Sequence, residues 1–144
     1  MAPLKLTDGR NLDLISNEIS SDKAILFHHG TPGECSGWEK WFSEIKSVRA
    51  ISTSRPGYGL SDRRVNRRVA SDLDDQIQIL DHFEIEEFVS IGWSGGGPHA
   101  INMTRENRCR GAITLAGVGE WGNADLDFFW REWGPKIMQS SELP

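Results

Sequence analysis

One serine in this sequence stands where a hydroxyl can become a nucleophile. Ser94 lies in Gly92-Trp93-Ser94-Gly95-Gly96, a Gly-x-Ser-x-Gly pattern. In a chain with 15 glycines that pattern alone is weak, and a glycine-rich loop with an incidental serine would look the same. Its neighbours decide the matter. Phe88, Val89 and Ile91 form a short apolar run of the kind that makes a buried strand. Pro98, tolerated in the first turn of a helix, is followed by Ala100, Ile101 and Met103. A strand, a sharp turn and a helix around the serine constitute a nucleophile elbow. Gly92 and Gly96 flank the turn, where a Cβ would crowd the backbone.

A serine hydroxyl is weakly nucleophilic at neutral pH and needs a base, normally a histidine oriented by a carboxylate. The charge that develops on an attacked carbonyl oxygen needs preorganised donors. The backbone N–H of Gly95, at the start of the elbow helix, is one natural donor. An N–H from the turn His29-Gly30-Thr31 is the natural second.

The elements that must position these groups can be read along the chain. Leu4 to Leu14 reads as a hairpin, with Asp8-Gly9 as its turn and Leu12, Leu14 and Ile15 returning. Ala24-Ile25-Leu26-Phe27 is a continuous apolar run, expected of a strand covered on both faces. It leads into a Gly/Pro-dense loop, His28 to Gly33. Trp38, Trp41, Phe42, Ile45 and Val48 predict one amphipathic helix over 36–48. Ala50 to Thr53 reads as a strand, followed by a second Gly/Pro loop from Arg55 to Gly59. Val69, Leu73, Ile77, Leu80 and Phe83 predict a further helix, with Asp72, Asp74 and Asp75 near its start, where the helix dipole favours acids. Gly111 to Gly117 reads as another buried-type strand. Strands alternating with helices imply an α/β fold: a mainly parallel sheet with helices on both faces. In such sheets ligands bind outside the carboxyl ends of the strands. The loops at 28–33, 54–62 and the elbow all lie at such ends.

Composition sets outer bounds. The 144 residues amount to one domain, with a net charge of −5, 38% hydrophobic and 26% charged residues. No partnership with nucleic acid or an anionic membrane is expected from that balance. Arg63, Arg64, Arg67 and Arg68 form a local basic cluster, read first as a solvated loop and helix start. No apolar run approaches a membrane span, and the first residues lack the layout of a signal peptide. Cys35 and Cys109 are isolated, without metal spacing, and fit reduced thiols in a cytoplasmic protein. Neither a metal nor a cofactor is expected. In the tail, Leu126, Phe128, Phe129, Trp130 and Trp133 form a stripe too aromatic to face water, which reads as a lid over a crevice or an interface.

Three motifs in order resemble the α/β-hydrolase-fold superfamily, in its serine hydrolase branch: His29-Gly30-Thr31-Pro32, Ser54-Arg55-Pro56-Gly57-Tyr58-Gly59-Leu60-Ser61, and Gly92-Trp93-Ser94-Gly95-Gly96. The resemblance covers roughly residues 4–134 and corresponds to the first half of such a protein. It implies Ser94 as the nucleophile and the N–H groups of Thr31 and Gly95 as the oxyanion hole. It implies a substrate pocket at His29, Gly30 and Trp93, with the tail as part of its lining. It assigns residues 1–117 to the hydrolase core and 118–144 to the start of a cap. A serine where epoxide hydrolases and haloalkane dehalogenases carry Asp argues against those chemistries. Ser54 departs from the Asp of many relatives and is expected to be a tolerated structural change.

The larger departure is the missing base. The family order places the acid and the histidine after the serine, whereas the last histidine here is His99. Five residues beyond Ser94 on the same helix, it is rotated away from the hydroxyl and is expected to be packed or partly exposed. His82 should be a surface residue. His28 and His29 should point to opposite sides of an extended backbone. Glu120 is the nearest carboxylate after the elbow and reads as a solvated loop residue. The expectation is therefore a serine hydrolase acting on an ester or amide-type bond of a small, partly apolar substrate, truncated before its last strands and inactive as this chain. The alternative is a non-catalytic relative acting as a binding module, self-associating through its last strand and aromatic tail. A lyase or peroxidase-like reaction on the same scaffold is the third reading.

Overall fold

The apolar run at 23–28 takes the centre of the sheet because it can be covered on both sides. The computed structural model describes residues 3–119. A five-stranded sheet has the order β3-β5-β4-β6-β7, made of β3 (Leu14–Ser16), β4 (Lys23–His28), β5 (Arg49–Thr53), β6 (Glu87–Trp93) and β7 (Cys109–Leu115). All neighbours are parallel except β3, which pairs antiparallel with β5. Alternate side chains of the central strands enter two cores. Leu26 and Ile51 face one way, with Ile79, Leu80, Phe88 and Met103. Phe27 and Ala50 face the other, with Trp38 and Phe42. The first core is roofed by α2 (Val69–His82) and the second by α1 (Glu39–Phe42), while α3 (Gly97–Asn102) packs on β6 and β7. The doubly covered, mainly parallel sheet expected from the sequence is present.

Four local expectations change. The hairpin is shorter than predicted: β1 (Leu4–Lys5) pairs with β2 (Asn11–Leu12) around Gly9, whose φ of 88° suits a residue without Cβ. Leu14 and Ile15 leave it and join the main sheet as β3. The predicted helix over 36–48 is a 3₁₀ turn, Cys35–Trp38, followed by the single turn of α1. Asn17 explains the stop. Its side-chain amide donates to the carbonyls of Ile45 and Val48, each at 3.2 Å, and its oxygen accepts from the N–H of Ala50 at 2.9 Å. Those carbonyls are held as a loop, so Trp38 and Phe42 are buried while Trp41 stays 53% exposed.

The third change concerns α2, whose limits match the sequence but whose inner face is polar at its start. Asp72, Asp75 and Gln76 are buried there, whereas Val69 is exposed. The fourth concerns β7. Its Ile113 and Leu115 are about half exposed, because β7 is the edge of the sheet among the described residues. The aromatic stripe at 126–133 and Glu120 lie outside the described residues.

Candidate active site

β6 delivers Ser94 and the backbone then reverses within one residue. Trp93 is extended, Ser94 adopts φ 50°, and a 3₁₀ turn over Ser94–Gly96 leads into α3. A left-handed conformation costs a non-glycine residue on the order of 1–3 kcal/mol and persists only where packing imposes it. The glycines show what imposes it. A Cβ on Gly92 would run into the carbonyl of Gly96, and one on Gly96 into the carbonyl of His28. A Cβ on Gly95 would lie 2.6 Å from Thr31 Oγ1. The turn is thus wedged between its own first helical turn and the loop after β4.

That loop lies against the serine. A Cβ on Gly30 would sit 3.5 Å from Ser94 Cβ and 3.3 Å from the Trp93 ring. Its shape is set by Arg55, a buried arginine at the end of β5. The guanidinium donates to the carbonyl of His29, to the carbonyl of Gly30 at 2.9 Å and to Thr31 Oγ1 at 3.0 Å. With the carbonyls turned to Arg55, the N–H of Thr31 finds no acceptor among the described residues. The N–H groups of the first helical turn, Gly95 included, are unpaired by geometry. Thr31 and Gly95 adjoin each other, so two unspent donors lie beside the serine.

His29 is held by the same frame. Its Nε2 accepts from the Arg55 N–H at 3.0 Å, so the ring proton is on Nδ1, which donates to the Gly30 carbonyl at 2.7 Å. Burial, and then the Arg55 charge, push its pKa down to about 4. It is neutral at neutral pH and shapes the loop. Ser54, expected to be a harmless departure, is buried; it donates to Asp13 Oδ2 at 2.9 Å and accepts from the Cys35 N–H at 3.0 Å. A carboxylate is therefore present at that point, supplied by Asp13 between β2 and β3.

Beneath the elbow lies a polar cluster that sequence reasoning missed. Asp72 Oδ2 is 2.8 Å from His99 Nδ1 and 4.0 Å from His28 Nδ1, and His28 Nε2 is 3.0 Å from Ser90 Oγ. The cluster joins α2, α3, β4 and β6. Burial works to raise the Asp72 pKa, but the His99 hydrogen bond and the nearby charges outweigh it and hold the carboxyl below its ordinary value. Burial pushes His28 down to about 3. A signal for Asp72 did exist: 72, 75, 76, 79 and 80 share the helical period of one face. It was hidden because three of the five are polar.

All four histidines are now placed. His99 is packed, His28 and His29 are committed to other partners, and His82 is exposed at the end of α2. None of them is hydrogen-bonded to Ser94. Among the described residues, no group of three or more His, Cys, Asp or Glu could hold a metal ion.

A cavity of about 580 Å³ opens beside the elbow, lined among others by His29, Gly30, Trp38, Trp41, Trp93 and Leu115. Its wall is mostly carbon, which accounts for the exposure of Trp41 and Trp93 as pocket surface rather than misplaced core.

A mainly parallel sheet, a strained serine at a strand–helix turn and an arginine-pinned loop define the class. The chain belongs to the alpha/beta hydrolase fold family, whose sequence pattern matches residues 23–141. It is 28% identical over 123 residues to the 2-hydroxy-6-oxononadienedioate/2-hydroxy-6-oxononatrienedioate hydrolase of Escherichia coli, covering 79% of this chain and 43% of that protein. Among solved structures it superposes on a hydrolase from Pseudomonas aeruginosa with a TM-score of 0.74 at 16% identity, covering 99% of this chain and 53% of the other. An esterase from Exiguobacterium antarcticum gives 0.67 at 18%, covering 82% and 46%. The chain spans 28–43% of the length of the curated relatives it matches. Among the described residues no helix is long and apolar enough to cross a membrane.

Proposed function

We propose that the protein is a serine hydrolase that cleaves an ester or amide-type bond of a small, partly apolar substrate through an acyl-Ser94 intermediate. The observation that supports it most is Ser94 at φ 50°, beside two unpaired N–H groups. Ser94 Oγ attacks the carbonyl carbon, and its proton passes to a base. The oxyanion is held by the N–H groups of Thr31 and Gly95. The alcohol or amine leaves with a proton, and water then hydrolyses the acyl ester. The apolar cavity, with His29, Gly30 and Trp93 on its wall, receives the carbon skeleton of the substrate. The E. coli relative is named as a hydrolase of 2-hydroxy-6-oxononadienedioate and 2-hydroxy-6-oxononatrienedioate. Residues 1–117 serve as the hydrolase core and 118–144 begin a cap. The free thiols Cys35 and Cys109 suit a cytoplasmic setting.

Every histidine is committed or remote, so none of the four is placed to act as the base for Ser94. The 144-residue chain should therefore hydrolyse p-nitrophenyl butyrate about 10⁴- to 10⁶-fold more slowly than an intact triad would. Steady-state assay of the chain and of Ser94→Ala checks this. Ordinary turnover abolished by the substitution would mean that one of the four histidines does reach Ser94.

A second reading, a non-catalytic binding module, is favoured by one observation. β7 presents half-exposed Ile113 and Leu115 at the edge of the described sheet, a surface able to pair with another copy.

A further inference from the structure

The basic cluster of the sequence is more ordered than a solvated loop. A cleft of about 440 Å³ lies where the loop after β5 meets the start of α2, lined by Pro56, Gly57, Tyr58, Arg63, Arg64, Val65 and Arg67. Unlike the cavity at the elbow, its wall is mainly polar. Three of its seven lining residues are arginines and none is acidic.

The carboxylates nearby are already engaged. Asp62 accepts from the backbone and side-chain amides of Asn11. Asp75 is clamped by Arg10 and reached by Arg64 at 3.1 Å, and Asp74 is 3.1 Å from Arg64. Arg63, Arg67 and Arg68 have no acidic partner among the described residues. Arg67 is nevertheless held in place. It donates to the Pro56 carbonyl at 3.1 Å, and its guanidinium carbon lies 5.3 Å from the centroid of the Tyr58 ring. Its remaining donors are preorganised and unspent, an arrangement that suits an oxyanion.

The Tyr58 phenol reports the field. Burial works to raise its pKa, yet the polar neighbours Thr31 and Arg67 and the charges of Arg55 and Arg67 bring it below its ordinary value. The positive end of the α2 dipole, starting at Val69, adjoins the same region.

We propose that Arg63, Arg67 and Tyr58 form a binding site for a dianionic oxyanion, the phosphate group of a small soluble phosphomonoester. Two unpaired guanidiniums match a charge of −2 better than that of a single carboxylate. The site is separate from the elbow cavity but joined to its frame. The Tyr58 and His29 rings meet in a T-shaped contact at 5.1 Å between centroids, and Arg55, which pins the Thr31 loop, lies 5.2 Å from the same Tyr58 centroid. Occupancy would therefore bear on the loop beside Ser94. The site stands whether or not Ser94 is a nucleophile.

The test is calorimetric titration of the 144-residue chain with inorganic phosphate near neutral pH at low salt. Saturable binding is expected, weakened at least about tenfold in Arg63→Ala/Arg67→Ala. Arg67 touches the Tyr58 loop, so Arg63→Glu, at an exposed residue without partners, is the second variant and should weaken binding by a similar factor. Arg110→Ala, at a remote exposed arginine, should leave it unchanged. Circular dichroism confirms that each variant is folded. Absence of binding up to about 20 mM phosphate would overturn the proposal. So would binding indifferent to Arg63→Glu, equal loss in Arg110→Ala, or acetate binding as tightly as phosphate. Adsorption to phosphatidylglycerol vesicles without binding of free phosphate would overturn it too, by making the patch a membrane contact.

Discussion

At the scale of residues, the site depends on backbone more than on side chains. Ser94 is the proposed nucleophile, and what surrounds it is glycine, a threonine N–H and carbonyls fixed by Arg55. The motif made Ser94, Gly95 and the Thr31 loop legible in the sequence, because their spacing encodes a turn. Asp72, His99 and Arg55 were not legible as a frame. A buried charged residue is recognised by its partner, and partners distant in sequence leave no periodic trace. The buried histidines carry a consequence for pH. His28 and His29 have folded-state pKa values of about 3 and about 4, below the roughly 6.5 of an unfolded chain. Below about pH 6.5 the unfolded chain binds protons that the folded one does not, so stability falls with falling pH. It is complete above that value and decreases by about 1.4 kcal/mol per pH unit for each histidine down to the folded pKa. Urea denaturation between pH 7 and about pH 4.5 checks the slope; a midpoint independent of pH would contradict the burial of both rings.

At the scale of elements, the sheet was readable and the covering helices less so. Short apolar runs fix β4 and β6, whose side chains are buried on one face and buried or half-buried on the other. The segment after Trp38 has the periodicity of a helix, yet three hydrogen bonds to Asn17 hold it as a loop. Local period lost to a long-range polar contact. Asn17→Ala would leave two carbonyls, of Ile45 and Val48, and two N–H groups, of Ala50 and Ile19, without this partner at a part-buried site. It is expected to cost about 1–3 kcal/mol, as groups left without partners do. Thermal melting of the variant measures this; an unchanged midpoint would show that water replaces Asn17 without loss. β7 was read as a buried-type strand and lies instead at the edge of the described sheet. Its composition resembles that of β4, because apolar content alone does not say how many neighbours a strand has.

At the scale of the whole molecule, two cores on opposite faces of one sheet hold the C-terminal ends of β4, β5 and β6 together. Ser94, the Thr31 and Gly95 N–H groups and the pinning Arg55 all lie just beyond those three ends. Family membership rests on the sequence pattern matched over residues 23–141, and this arrangement agrees with it; the reaction rests on the proposed role of Ser94. If the non-catalytic reading holds, the edge of β7 should pair copies, and sedimentation of the 144-residue chain should give a defined dimer. A monomer at all concentrations would count against it. The central claim is the nucleophilicity of Ser94, and it is tested most directly by fluorophosphonate labelling of the natural gene product that contains these residues. Ser94→Gly is the matched control, because glycine tolerates φ 50° and preserves the turn. The account predicts a single adduct, mapped to the peptide carrying Ser94 and absent from the glycine variant. An intact, folded protein that forms no adduct, or forms it elsewhere, would contradict it.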